Sequence, residues 1–309
     1  MDLAEQAVVV TGAGSGMGKA TACRLARRNA LVAALDIAAK PVLALTQELG
    51  GLGIECDVGS ESSVRTAIQR VVAEFGPPRV LVNCAGLWAK RIGEMAGVAR
   101  AAGVVEHQYF VTEKGLEYGD DLPTLRDPDR LCYFKEEVGG FAMGGYELNP
   151  VAWTPKDGIP RDFHFQLIES DWDQFEGLFL EAAGRVPALQ NAGIRQLING
   201  PEAFTPDGSF ILGESPEVRG FFVGAGFNAY GIAANGGAGR ALAEWIVGGE
   251  PSTDLWPVDI RRFGAHHRET KFLIERTTEA TGKHYTMAWP SEEHASGRPL
   301  KTSPLYARL

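Results

Sequence analysis

Two rhythms of hydrophobic and polar positions divide this chain. In AVVVTGAGSGMGKATACRLARRNALVAALD (7–36), Val8, Val9 and Val10 run without a polar break, as a parallel strand covered on both faces requires. A glycine-rich turn, an amphipathic helix and a second apolar run at 31–36 follow, and the same alternation of elements predicts further strands near 53–56 and 80–84. The middle of the chain reads differently. EHQYFVTE (106–113), RLCYFKEE (130–137) and GGFAMGGYE (139–147) alternate between turns, the period of half-buried antiparallel strands. The first rhythm then returns: RGFFVGAGFN (219–228) predicts a buried strand from Phe221 to Val223, and GIAANGGAGRALAEWIVGG (231–249) a helix whose start is free of bulky side chains.

The expected fold is α/β: a Rossmann-like parallel sheet with helices on both faces, plus an antiparallel β portion. The parallel sheet is expected to join strands near 7–11, 31–36, 53–56, 80–84 and 220–225. The expected organisation is a dinucleotide-binding half over 1–86, a β-rich substrate region over 87–215, a returning strand and helix over 216–250, and an extension over 251–309.

The glycine turn carries the first chemistry. Gly12, Gly16 and Gly18 open the first helix, with Ser15 and Met17 between them. Glycines there permit a tight turn and bring backbone N–H groups and a helix N-terminus up to a pyrophosphate. Asp36 ends the second strand, where a carboxylate can take both hydroxyls of an adenosine ribose. Its charge opposes a 2′-phosphate, so FAD or NAD suits the turn better than NADP.

The spacing Thr11-Gly12-xxx-Gly16-x-Gly18, with Asp57-Val58 and Asn83-Cys84-Ala85-Gly86, resembles the short-chain dehydrogenase/reductase family over residues 1–86. The resemblance implies NAD, with Asp57 and Val58 at the adenine and Asn83, Ala85 and Gly86 at the crevice. That family works with a Tyr-xxx-Lys pair, and none is present: Tyr109 has Lys114 five residues on.

From residue 80 onward the chain resembles the FAD-dependent sarcosine and dimethylglycine dehydrogenases of the glycine-oxidase-like superfamily. The motifs are VNCAGLWA (82–89), EHQYFVTE, LPTLRDPDR (122–130), GGYELNP (144–150), DGIPRDFHF (157–165), NGPEAFTPDGSFILGESPEVRGFFVGAGFN (199–228) and DLWPVDIRRFG (254–264). The resemblance implies hydride transfer from an N-methyl amine to FAD. It places Trp88 beside the cofactor and Pro206, Asp207 and Gly208 on its approach, with Gly226, Gly231 and Ile232 at the flavin pyrimidine edge. His107 and Tyr133 match positions that face the substrate amine. A long stretch that the family carries before VNCAG is missing, and with it the histidine that can attach flavin covalently. The chain ends at SPLYARL, so coupling to folate is not expected.

VLVNCAG thus closes one resemblance and opens the other, at equivalent strands of one sheet. Three functions stay open. One is an FAD-dependent oxidoreductase acting on a small amine or N-methyl amino acid, impaired by the missing part. Another is an NAD-binding short-chain dehydrogenase relative without its catalytic pair. The third is a non-catalytic nucleotide-binding or regulatory module.

Charge and composition narrow the partners. A net charge of −9 argues against nucleic acid and anionic membranes, which call for a basic face. No apolar run approaches the roughly 20 residues of a membrane span, and the acidic start MDLAEQ does not read as a leader. Cys23, Cys56, Cys84 and Cys132 lack CxxC spacing, which suits reduced thiols in the cytoplasm. His266, His267, His284 and His294 have no consistent metal-ligand spacing, so no metal is expected.

Overall fold

A computed structural model describes residues 3–83, 102–115, 122–137, 139–156, 158–160, 163, 166–300 and 302–308. The chain forms two compact units that interleave in sequence. The first takes Met1–Arg100, Leu212–Ala225 and Asn235–Arg262, and the second Ala101–Ile211, Gly226–Ala234 and Phe263–Leu309.

In the first unit the strands β1 (Ala7–Thr11), β2 (Leu31–Asp36), β3 (Leu52–Glu55) and β4 (Val80–Asn83) form a parallel sheet in the order β3-β2-β1-β4. The valine run explains its layers. Val8 and Val10 point into a cluster with Ala22 of α1 (Gly16–Ala26) and with Val42 and Leu45 of α2 (Ala39–Leu49). Val9 points the other way, into a cluster with Ala67 and Val71 of α3 (Glu61–Phe75). With apolar side chains on both faces, β1 is apolar from Ala7 to Val10 and turns polar only at its last residue, Thr11.

The second unit is built on an antiparallel sheet. Its strands are β5 (Gly103–Thr112), β6 (Leu125–Asp127), β7 (Cys132–Glu137), β8 (Gly140–Gly145) and β9 (Ile194–Phe204), ordered β6-β7-β8-β5-β9. Helix α4 (Trp172–Arg185) covers one face, burying Phe175, Leu178, Ala182 and Ala183 against Phe110, Cys132, Phe134, Met143 and Leu197. Two devices fix its start. Asp171 caps it by accepting from the Gln174 N–H at 2.9 Å, and buried Gln108 of β5 exchanges two hydrogen bonds with the Asp171 backbone, at 3.0 and 2.9 Å. Caps of this kind satisfy donors the helix cannot.

One expected strand pairs elsewhere. Residues Phe222–Ala225 (β11) pair with Ile211–Glu214 (β10) in a two-stranded sheet, not with the four parallel strands. An apolar run reports burial on both faces but does not choose an edge partner. The choice is local: Gly213 of β10 has φ +127°, and a Cβ there would lie 2.8 Å from the Trp245 ring. Trp245 belongs to α5 (Gly231–Gly248) and meets Phe222 edge-on at 6.0 Å. Helix α6 (Thr270–Gly282) completes the second unit, with Thr277 against Gly103 of β5.

Candidate nucleotide cradle and substrate face

In the first unit the glycine turn has a separate physical reason for each glycine. Gly12 takes φ +65° and makes the tight turn after β1. Gly16 takes φ +50°, and a Cβ there would meet nothing within 4 Å, leaving the backbone open to an approaching pyrophosphate. At Gly18 a Cβ would run into the Gly12 carbonyl, so α1 packs onto the turn only without one. These are the three roles a dinucleotide turn asks of its glycines. Ser15 caps α1 with no side-chain hydrogen bond, and the first turn carries no acid, so its N–H groups suit an anion. Met17 lies in that first turn.

Asp36 ends β2 beside this turn. Its Oδ2 accepts the Gly14 N–H at 2.8 Å and its Oδ1 the Ala38 N–H at 2.9 Å. A Cβ at Gly14 would sit 2.9 Å from the carboxyl group, so Gly14 lets the acid lean over the turn. Asp57 is exposed and its carboxylate accepts the Gly59 N–H at 2.8 Å, while Val58 packs against the α3-side core. Asn83 ends β4 in register with Thr11. Ala85, Gly86 and Trp88 lie outside the described residues. These observations fit the adenosine diphosphate half that FAD and NAD share.

The second unit brings the remaining candidates together in two groups. In the first, Pro206 is buried, and Gly208 takes φ +71°. The exposed Asp207 accepts from the Thr205 hydroxyl and the Ser209 N–H, both at 3.1 Å. Buried Asn228 ties this turn to the next, accepting the Thr205 N–H at 2.8 Å and donating to the Gly226 carbonyl at 2.7 Å. Gly226, Asn228 and Ala229 all take positive φ, at +60°, +50° and +64°. Two non-glycine residues in that region are strain that the hydrogen bonds hold in place. Gly231 and Ile232 follow at the start of α5, with Ile232 92% exposed. Further along α5, a Cβ at Gly236, Gly237 or Gly239 meets nothing within 4 Å. Tight packing does not account for those glycines among the described residues.

The second group stands on the sheet face opposite α4. One register row crosses all five strands: Arg126, Tyr133, Gly144, Tyr109 and Ile198. Residues directly opposite share a face, so Tyr133 and Tyr109 project together, and His107 projects with them two residues along β5. Gly144 makes room, since a Cβ there would collide with the Tyr133 ring.

Around His107 lies a set of rings that no local motif announces. The His107 and Tyr146 rings stack at 4.7 Å, and Tyr146 meets His284 at 4.3 Å and Tyr285 at 4.6 Å. Tyr230 lies 5.2 Å from His284. Burial, helped by the nearby His284, pushes the His107 imidazole down to about 4. Burial, and then Arg126, brings His284 down to about 4 as well. Burial raises the Tyr133 phenol to about 12, with Tyr285 and Tyr109 adding to it. Both histidines are therefore neutral and Tyr133 protonated near pH 7. Glu147 is raised to about 7 by burial and by Glu106, and burial raises Glu202, whose carboxylate accepts the Ala229 N–H.

Comparison with known proteins agrees with both halves of the chain. The profile of the FAD dependent oxidoreductase family matches residues 37–245, and that of the FAD dependent oxidoreductase central domain matches residues 248–303. Mitochondrial sarcosine dehydrogenase of Mus musculus is 41% identical over 232 residues, 74% of this chain and 25% of that protein. The mitochondrial pyruvate dehydrogenase phosphatase regulatory subunit of Mus musculus is 40% identical over 233 residues, 74% of this chain and 26% of that protein. D-threitol dehydrogenase of Mycolicibacterium smegmatis is 44% identical over 84 residues, 26% of this chain and 32% of that protein. The chain spans about a quarter of the length of the two mouse relatives. On the match over 37–245, the chain belongs to the FAD dependent oxidoreductase family.

Proposed function

We propose that this chain binds FAD and oxidises the N-methyl group of a small amine or N-methyl amino acid. The observation that carries the proposal is the placing of His107 and Tyr133 on one half-buried, ring-lined face, with neutral imidazole and protonated phenol at neutral pH. Similarity to a protein named sarcosine dehydrogenase supports the substrate class.

Bound FAD would supply the acceptor for a hydride leaving the N-methyl carbon, and water would convert the resulting imine to formaldehyde and the demethylated amine. The residues of the chain prepare the substrate for that loss. Only an unprotonated amine has the lone pair that expels hydride, so the site must hold the amine neutral, and a protonated histidine could not accept its N–H. Neutral His107 would accept an N–H or lie against the amine, and the Tyr133 hydroxyl would orient it. Gly12, Gly16, Gly18 and Asp36 would hold the adenosine diphosphate portion, with Ser15, Met17, Asp57, Val58 and Asn83 around it. Pro206, Asp207, Gly208, Gly226, Gly231 and Ile232 would attend the flavin ring. With Cys23, Cys56 and Cys132 unpaired, we assign the protein to the cytoplasm.

The test is anaerobic incubation with sarcosine and dimethylglycine, an electron-accepting dye, and a formaldehyde assay. Dye reduction with stoichiometric formaldehyde supports the proposal; formaldehyde-free dye reduction or no reduction opposes it. One observation favours a second reading. The glycine turn lies outside the 37–245 match, and the similarity to D-threitol dehydrogenase suits an NAD-binding turn. Tighter binding of NAD than of FAD would favour that reading.

A further inference from the structure

We propose that the cleft beside α6 is a docking site for a second copy of this chain. Residues 303–308 of that copy fill it, and two copies exchange these segments reciprocally. Neither flavin nor substrate takes part.

The cleft forms where the end of α6 meets the chain after β8. A Cβ at Gly282 would run into the Leu148 carbonyl, so α6 closes onto that segment only through a glycine. Leu148, Met287 and Trp289 stand around the resulting cavity of about 560 Å³, each more than half exposed. Exposed apolar side chains scattered singly need no explanation; three around one cleft form the kind of patch that partners cover. Cavities of roughly 300–1,000 Å³ hold whole small ligands, so this one has room for two apolar side chains. Its lining is negative. Glu275, Glu279 and Glu292 stand against one cation, Lys283, which bridges Glu279 at 3.1 Å and Glu292 at 2.8 Å. From outside the lining, Lys271 and Arg276 reach Glu275 and Glu279 only at 3.9 Å. Burial works against the Glu279 charge, but hydrogen bonds from Ser296, Ala295 and Lys283 bring its carboxyl down to about 2.

The chain carries a matching segment. Residues 302–308 are exposed throughout, and Leu305 and Tyr306 are each more than half exposed. From 300 to 309 the sequence holds Lys301 and Arg308 and no acid. Two exposed apolar side chains with excess positive charge thus complement an apolar rim with excess negative charge. The segment also begins beside the cleft. Glu279 accepts the Ala295 and Ser296 N–H groups, both at 2.8 Å, and Glu275 accepts the Gly297 N–H at 3.1 Å. The strap that leads to the segment is therefore pinned to the helix that lines the cavity. With donor and acceptor side by side, two copies that face each other can each give and receive, which closes a two-fold dimer. The two contacts then support each other, because the first raises the effective concentration for the second. Within one chain the segment is exposed and not seated in its own cleft, which favours exchange between copies.

The test is sedimentation velocity of the purified chain over a wide range of concentration, together with binding of a fluorescein-labelled peptide SPLYARL. The wild type is expected to pass reversibly from monomer to dimer as concentration rises, and unlabelled peptide to break the dimer. The double variant Leu305→Ala, Tyr306→Ala should dimerise at least about tenfold more weakly, the scale of one lost anchor, and still bind the labelled peptide. Trp289→Ala should weaken both dimer and peptide binding. Arg308→Glu in the peptide should weaken its binding, and the difference should shrink at high salt. The inference is overturned if the wild type stays monomeric at every concentration, if the double variant dimerises as tightly as the wild type, or if Trp289→Ala binds the peptide unchanged. A monomer that binds the peptide only in the double variant would assign the cleft to the chain's own segment and equally overturn exchange. Leu305, Tyr306 and Trp289 are all exposed, so their replacement should leave thermal melts unchanged.

Discussion

The ring of Tyr133 occupies the space that a side chain at Gly144, its direct partner across the sheet, would need. The same missing Cβ would lie 2.9 Å from the Cβ of Tyr109. Glycine at 144 is thus a condition for a tyrosine at 133, and the two positions should be coupled. Gly144→Ala is expected to destabilise the second unit by about 1–3 kcal/mol, the usual cost of overpacking. In a Tyr133→Ala background the same change should cost less, with the 2.9 Å contact to the Tyr109 Cβ as what remains. Thermal melts of the two single variants and the double variant measure the coupling; simple additivity would show that the ring does not depend on the glycine.

The cradle glycines should fail in different ways. Gly16→Ala meets no atom but forces alanine to φ +50°, a cost of about 1–2 kcal/mol, and puts a methyl where the pyrophosphate would approach. Nucleotide affinity should drop more than stability does. Gly18→Ala collides with the Gly12 carbonyl and should lower stability first. Melting curves and FAD and NAD titrations on both variants separate these outcomes.

Asn228 holds two strained turns together, and its loss should be felt in the fold. Asn228→Ala leaves the buried Thr205 N–H without its acceptor and is expected to cost about 1–3 kcal/mol. Asn228→Gly relieves the positive φ but loses the same bonds, so it should fall between wild type and alanine. Equal stability of all three would remove the tether assigned to this side chain.

The histidines make the second unit acid-sensitive. Because the folded protein holds His107 and His284 near 4 against an ordinary 6.5, their contribution is fully present above pH 6.5 and is lost as pH falls toward 4. Glu147 works the other way: raised from 4.5 to about 7, it contributes below 4.5 and loses that contribution as pH rises through 7. His107→Asn should remove only the His107 share of the loss between pH 6.5 and 4, leaving the His284 share and the Glu147 limb above 4.5 in place. Denaturant midpoints across that range provide the check.

Much of the fold was legible because its signals are local. The valine run announced a strand covered on both sides, and the alternation in EHQYFVTE announced one with two unlike faces. Gly12, Gly16 and Gly18 carried their roles in their spacing. The partner of Phe222–Ala225 was not legible, because apolar content reports burial and not adjacency. Nor was the ring cluster around His107. Together with His107, the rings Tyr146, Tyr230, His284 and Tyr285 come from segments spread over residues 107–285, more than half the chain, and only the sheet register and the turn after α6 bring them together. Arg126 illustrates the same limit. It lay inside a recognised motif, yet only its pairing with Tyr133 and its stacking on Tyr285 show which face it stands on.

The most direct test of FAD binding is the visible absorption spectrum of the purified, desalted chain, followed by acid precipitation. A yellow protein with flavin bands, releasing its flavin into the acid supernatant, is the expected result. A colourless protein that takes up no added FAD would contradict the account and leave a nucleotide turn joined to a ring-lined β-sheet without the flavin that would connect their functions.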